Sequence, residues 1–365
     1  MQRDVHHLLT EHLSALGMAL PPREELTDLL RQAFTPEDAE LALALPAGGI
    51  PLRVTGVAEI AARCGGDPTD LAPRLDDLAA RGLIFSGRMP DGELGYALHQ
   101  VGFGFPQTFL WKGEETPEAA AMAGLVARYF NREVTRLAYG GTETKPYRYV
   151  PLDTSLEPGT QAVLPAHAME PLLERAHVFA VAHCPCRMGL KLRGRACEHP
   201  LDVCMKFDEL AEYLIERGLG RAIDRDEARM IVRRSAEAGL VHFVDNAEGP
   251  VRHNCNCCGC ACWNVGSIRR RKIPRDVLMA TYFLRTTDNG ACTGCGACAR
   301  VCPVDAVSIE DGRAFLDEEW CIGCGVCVSR CPSEAAGLRP RADVDLSLAP
   351  DFETLHRRIL DQRGL

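Results

Sequence analysis

The chain has 365 residues, 46% apolar and 25% charged, enough for two or three domains with packed cores. Lys plus Arg number 41 against 50 Asp plus Glu, a net charge of −9, which argues against a chain built to coat nucleic acid or an anionic membrane. No apolar run approaches the roughly 18 residues that span a bilayer, and the polar opening Met1-Gln-Arg-Asp-Val-His-His leads to Glu11 rather than to an apolar signal segment, so a cytoplasmic location is expected.

In chain order, Val57-Ala-Glu-Ile-Ala-Ala-Arg predicts a helix ending at Gly65-Gly66, and Asp67-Pro68 supplies an N-cap with proline in the first helical position. Leu71, Leu75 and Leu78 give the next helix one apolar face, and Gly82 ends it. Leu83-Ile-Phe-Ser and Leu94-Gly-Tyr-Ala-Leu flank Asp91-Gly92, the pattern of a β-hairpin. Helix, turn, helix and a two-stranded wing make residues 1–110 resemble a winged-helix domain. Residues 111–178 form a connecting region, helical over Ala119 to Phe130 and loop-rich from Pro146 to Pro165. Val178-Phe-Ala-Val-Ala reads as a buried strand, and it opens a mixed α/β, cysteine-rich domain over 179–282. That domain also holds helices from Asp208 to Arg217 and from Asp224 to Gly239. Residues 283–340 are a further domain and 341–365 a helical tail. The expected fold class is α+β, multidomain.

Eighteen cysteines carry most of the information. A reducing compartment gives no reason to hold nine disulfides, so cysteine here points to metal or redox chemistry. Cys292-x2-Cys295-x2-Cys298-x3-Cys302-Pro303 and Cys321-x2-Cys324-x2-Cys327-x3-Cys331-Pro332 repeat one rhythm, 29 residues apart. This is the pattern of bacterial two-cluster ferredoxins, in which each motif lends its last cysteine to the other cluster. It assigns Cys292, Cys295, Cys298 and Cys331 to one [4Fe-4S] cluster, and Cys321, Cys324, Cys327 and Cys302 to the other. Gly294, Gly296, Gly323 and Gly325 let the backbone approach the sulfides. Ala306-Val-Ser-Ile-Glu, Asp311-Gly312 and Arg313-Ala-Phe-Leu form the hairpin between the motifs. Zinc knuckles, the alternative, rarely show this rhythm with a trailing proline.

Nine cysteines lie in the middle domain: Cys184, Cys186, Cys197 and Cys204, then Cys255, Cys257, Cys258, Cys260 and Cys262. Pro185 predicts an extended Cys184-Pro185-Cys186 segment with both sulfurs on one face. The second group is too dense for packing or disulfides, and soft thiolates select iron–sulfur clusters or zinc. One or two further clusters, one cluster with a zinc, or one cluster with redox thiols all suit the number, and the spacings leave the partition open. His183, His199 and His253 stand beside these cysteines, with hydrogen bonding the plainer role than ligation. Arg269-Arg-Arg-Lys272 is either a solvated basic face or charge that offsets thiolates or receives an acidic partner. Cys64 reads as a small core residue.

The order of these features resembles the 4Fe-4S dicluster ferredoxin-type proteins of anaerobic bacteria and archaea that carry an N-terminal extension. It runs from the winged-helix-like start through "AHCPCR…GRACEHPLDVCMKF" and "HNCNCCGCAC" to "CIGCGVCVSRCPSEA". The resemblance implies electron transfer in anaerobic metabolism. Cys257-Cys258-Gly259 also resembles the CCG motif of heterodisulfide-reductase-like subunits, which carry two copies where this chain has one.

Three functions follow. The preferred one is an iron–sulfur electron-transfer protein or subunit working with a partner oxidoreductase or carrier protein. A redox-sensing winged-helix regulator is the second, but residues 1–110 hold eight Arg, no Lys and fifteen Asp plus Glu, which favours protein contact or homodimerisation over DNA. The third is an oxidoreductase with its catalytic site at the middle cysteines. The chain shows no P-loop, and Gly102-Phe-Gly104 lacks the rest of a dinucleotide fingerprint.

Overall fold

A computed structural model describes residues 4–16, 20–102, 104–156, 164–195 and 197–365. The first three residues of the polar opening, Phe103 of the Gly102-Phe-Gly104 pair and residues 157–163 of the loop-rich stretch lie outside these. The chain is mixed α/β, and among the described residues no helix is long and apolar enough to cross a membrane.

Helices Val5–Ser14, Glu24–Ala33 and Pro36–Leu43 pack together at the N-terminus. The third is started by a reciprocal Thr35/Asp38 capping box with Pro36 behind it. Strand β1 (Thr55–Gly56) then leads into helices Val57–Cys64 and Pro68–Ala80, followed by β2 (Ile84–Arg88) and β3 (Leu94–Leu98). The left-handed Gly65 ends the first of these helices, and Asp67 caps the second by accepting from Thr69 N. Leu71, Leu75 and Leu78 are buried as the spacing predicts. The three strands form one antiparallel sheet in the order β1-β3-β2. Cys64, expected in the core, is exposed instead: it shares the face of buried Ile60 and Ala61 but is the last residue of its helix, beside the left-handed Gly65.

The central feature is a seven-stranded sheet. Its strands are β4 (Tyr147–Val150), β5 (Phe179–Ala182), β6 (Cys204–Phe207), β7 (Arg221–Ile223), β8 (Val241–Asp245), β9 (His253–Cys257) and β10 (Met279–Ala280), in the order β10-β4-β8-β9-β6-β5-β7. Only β10 and β4 pair in parallel. Strand β4 lies inside the stretch read as loop. Its four residues, Tyr-Arg-Tyr-Val, are all buried, so sheet pairing overrides the turn signals of Pro146 and Pro151 on either side. The segment at Cys184 also differs from expectation. Pro185 begins helix Pro185–Leu192 rather than extending the chain, since its fixed φ suits a first helical position, and Cys184 is the N-cap.

The last region pairs β11 (Phe283–Thr287) with β14 (Ala336–Pro340), and β12 (Val307–Glu310) with β13 (Arg313–Leu316). Asp311 and Gly312 both take positive φ at the β12–β13 turn. Helix Phe352–Arg363 returns to the central sheet region, packing Leu355 and Ile359 on Ala247 and Ala349. One apolar cluster extends from Leu9 through Leu75, Tyr213 and Phe243 to Cys302 and Val326, so the N-terminal, central and C-terminal parts share a core.

Candidate metal centres

The two x2-x2-x3 motifs fold into loops around two cavities. Cys292, Cys295, Cys298 and Cys331 line one, of about 10 Å³, and Cys302, Cys321, Cys324 and Cys327 line the other, of about 20 Å³. The grouping therefore exchanges the last cysteine between motifs. All four glycines take positive φ. A Cβ on Gly294 would lie 2.1 Å from the Gly312 carbonyl oxygen, and one on Gly323 would lie 2.2 Å from that of Phe283, so no side chain fits at either. Burial drives the Cys324 thiol well up and the Cys327 thiol up to about 12. Positive charge from a metal is what would hold such buried sulfurs as thiolates.

Arg285 on β11 lines both cavities and is 3% exposed. It donates to Thr287 Oγ1, lies 3.9 Å from Cys298 Sγ, opposes the burial that raises the Cys327 thiol, and adds to the backbone hydrogen bonds of Gly294 and Ala314 that lower Cys292. Its sequence signal is slight, one charge after the apolar Phe283-Leu284 strand start.

The middle cysteines do not divide as the sequence groups them. Cys184, Cys186, Cys204, Cys255, Cys257 and Cys262 line a single cavity of about 40 Å³, larger than either ferredoxin-type cavity. The sheet explains four of the placements. Met205 pairs with Asn254, which sets Cys204 opposite Cys255, and Cys257 follows two residues on along the same face. Cys184 continues from β5, whose Ala182 pairs with Cys204. Cys186 enters from the first turn of helix Pro185–Leu192, and Cys262 is the N-cap of helix Trp263–Arg269. Phe243, Trp263, Leu278 and Met279 close the cavity with apolar surface.

Their sulfurs neighbour one another in the order Cys184, Cys186, Cys262, Cys257, Cys255 and Cys204. The Cys204 and Cys257 thiols hold Cys255 well below the usual thiol range, and those of Cys186 and Cys257 bring Cys262 down to about 5. The Cys186 thiol, reinforced by burial, raises Cys184.

Two buried cations face these sulfurs. Lys206, 3% exposed, donates to Cys204 Sγ at 3.0 Å and lies 5.2 Å from the Trp111 ring centre. Desolvation opposes its charge, and the Cys204 and Cys255 sulfurs more than offset that. Arg187, 1% exposed, donates to the Asn256 carbonyl at 3.1 Å and is held charged against desolvation by Cys184, Cys258 and Cys257. Buried cations of this kind need buried anions. Ionising all six sulfurs would bring more negative charge than these two cations balance, and iron would supply the remainder. The donor set thus suits an iron–sulfur group.

The remaining three cysteines join a histidine. Cys197, His199, Cys258 and Cys260 bring their ligand atoms within 4.8 Å of one another. His183 instead hydrogen-bonds the Trp111 carbonyl, and His253 pairs with buried Asp245 at 3.2 Å.

The centres are packed together. Gly259 lies so close to Pro303 that a Cβ there would be 2.1 Å from the Pro303 carbonyl oxygen. Arg269 pairs with Asp305 at 2.8 Å, and Arg271 donates to the Val304 and Asp305 carbonyls and stacks on Trp320. The basic run therefore clamps the loop after Cys302. On the other side, Leu152 N, two residues beyond β4, donates to the Cys324 carbonyl.

Among known families, the 4Fe-4S dicluster domain matches residues 291–335. That segment is a ferredoxin-type domain that binds 4Fe-4S clusters. Neither a curated protein nor a solved structure matches the chain.

Proposed function

We propose that this chain is a cytoplasmic iron–sulfur electron-transfer protein, linking a partner oxidoreductase or carrier protein to a third iron–sulfur site in the six-cysteine cavity. The ferredoxin-type domain would hold two [4Fe-4S] clusters on the quartets Cys292, Cys295, Cys298, Cys331 and Cys302, Cys321, Cys324, Cys327. Such clusters supply one-electron redox capacity, with potentials set by burial, charge and hydrogen bonds to sulfur. The residues of this chain position the sites: Gly259 against Pro303 and Leu152 against Cys324 keep the sheet-borne site beside the second quartet. The observation that carries the reading is the cavity itself, six sulfurs with Lys206 and Arg187 buried beside them. Potentiometric titration followed by electron paramagnetic resonance tests it. A third reducible centre should be present in the protein and absent from Cys204→Ser/Cys255→Ser, with the other two retained. Two centres in both proteins would refute it.

One observation favours an oxidoreductase with its catalytic site here: six cysteines surround the cavity, whereas a cubane takes four. The β1–β3 region supports a winged-helix reading by its element order and its β1-β3-β2 sheet. Its second helix turns Asp67, Asp70 and Asp77 outward, and Arg81 is occupied by Asp38 and Asp77. That surface suits a protein contact, a homodimer included, better than DNA.

A further inference from the structure

We infer that Cys197, His199, Cys258 and Cys260 form a separate structural zinc site, distinct from the six-cysteine cavity and independent of the electron-transfer reading. Cys197 Sγ lies 3.1 Å from Cys260 Sγ and 3.8 Å from Cys258 Sγ, and Cys258 and Cys260 are 3.1 Å apart. His199 Nδ1 lies 3.4 Å from Cys197 Sγ and 3.8 Å from Cys260 Sγ. Tetrahedral zinc with ordinary bond lengths sets sulfurs about 3.8 Å apart and sulfur and nitrogen about 3.5 Å apart. Cys197 and Cys258 already match that spacing, while the two pairs with Cys260 lie closer and would open by side-chain rotation about one ion; all four atoms lie within 4.8 Å of one another.

The spacing also separates this site from the cluster sites. A cubane places an iron behind each thiolate and holds its four sulfurs wider. Among the described residues, no other set of three or more His, Cys, Asp or Glu side chains meets within 4.8 Å, the ferredoxin-type quartets included. Three thiolates and one imidazole are a zinc donor set, complete at four and closed to substrate. Cys260 is exposed and Cys197 and His199 are half-buried, an accessible setting for a redox-inert ion.

Its position gives it a task. Cys197 and His199 come from the loop after helix Pro185–Leu192, and Cys258 and Cys260 from a loop 61 residues on, measured from Cys197 to Cys258. Cys257 and Cys262, which face the six-cysteine cavity, flank that second pair, and Gly259 between them touches Pro303. An ion here fixes the loop that presents two cavity sulfurs and meets the ferredoxin-type domain.

Protein purified without oxygen tests the inference by zinc and iron content and by X-ray absorption at the zinc edge. One zinc per chain is expected, with three sulfurs and one nitrogen around it. His199→Ala should weaken zinc retention against a chelator by more than about tenfold while iron is kept, and His199→Cys should restore it. Zinc well below one per chain, a zinc edge lacking the three sulfurs, or unchanged retention in His199→Ala would overturn the proposal. The edge spectrum needs no variant, so a misfolded His199→Ala leaves the test intact. Absence of a third redox centre from the unmodified protein, with one zinc present, would overturn the electron-transfer reading and leave this one standing.

Discussion

Lys206 and Arg285 carry charge into the interior where carboxylates do not meet them directly; sulfur does, at 3.0 Å and 3.9 Å. An ammonium beside neutral thiols would be a net cost, and its replacement by a like-sized apolar residue would be neutral or stabilising. Beside an anionic iron–sulfur group the same cation favours the reduced state. Lys206→Met should therefore lower the potential of the middle site, on the order of 100 mV for one charge at this range. Arg285→Leu should lower both ferredoxin-type potentials by a similar amount, because Arg285 borders both cavities. Redox titration of each variant against the parent protein checks both, and unchanged potentials would refute the roles. Residue identity made the two cysteine quartets that line the ferredoxin-type cavities legible, since three of each four cysteines fall on one local loop. It could not divide the middle group. Cys257 and Cys258 are neighbours in sequence, yet successive residues at a strand end point to opposite sides, so one faces the cavity and the other faces Cys197.

Elements were legible where local signals agreed. Asp67 with Pro68, and Asp224 with Glu227, started helices as their capping chemistry demands. The Asp91-Gly92 and Asp311-Gly312 turns gave hairpins where expected. Strand β4 and the pairing of β6 with β9 were not legible, because register between distant strands is set by burial of whole faces rather than by nearby residues. The tightest junction between elements is Gly259 on Pro303. The contact is to backbone, which cannot swing aside, so Gly259→Ala should cost about 2 kcal/mol by overpacking. Chemical denaturation measures it, and a substitution without effect would mean that this loop does not bear on the ferredoxin-type domain.

Across the whole molecule, the N-terminal unit is tied to the central sheet through Tyr213. Its hydroxyl lies 3.2 Å from the Ala79 carbonyl, 3.0 Å from that of Ile84 and 3.1 Å from His99 Nε2. Burial brings the His99 imidazole down to about 3, and His167 and His356 down to about 4. Each takes up a proton more readily once unfolded, near pH 6.5, so their stabilising contribution is complete above that pH and is lost as pH falls toward 4. Denaturation at pH 7 and pH 5 should show this loss, and His99→Gln should reduce it by about 1–2 kcal/mol.

The claim on which the rest turns is that the sheet-borne cysteines bind iron. Iron and acid-labile sulfide per chain, measured on protein purified without oxygen, address it directly. Three iron–sulfur sites predict about twelve irons or more with matching sulfide. About eight irons, the content of the ferredoxin-type domain alone, would contradict it.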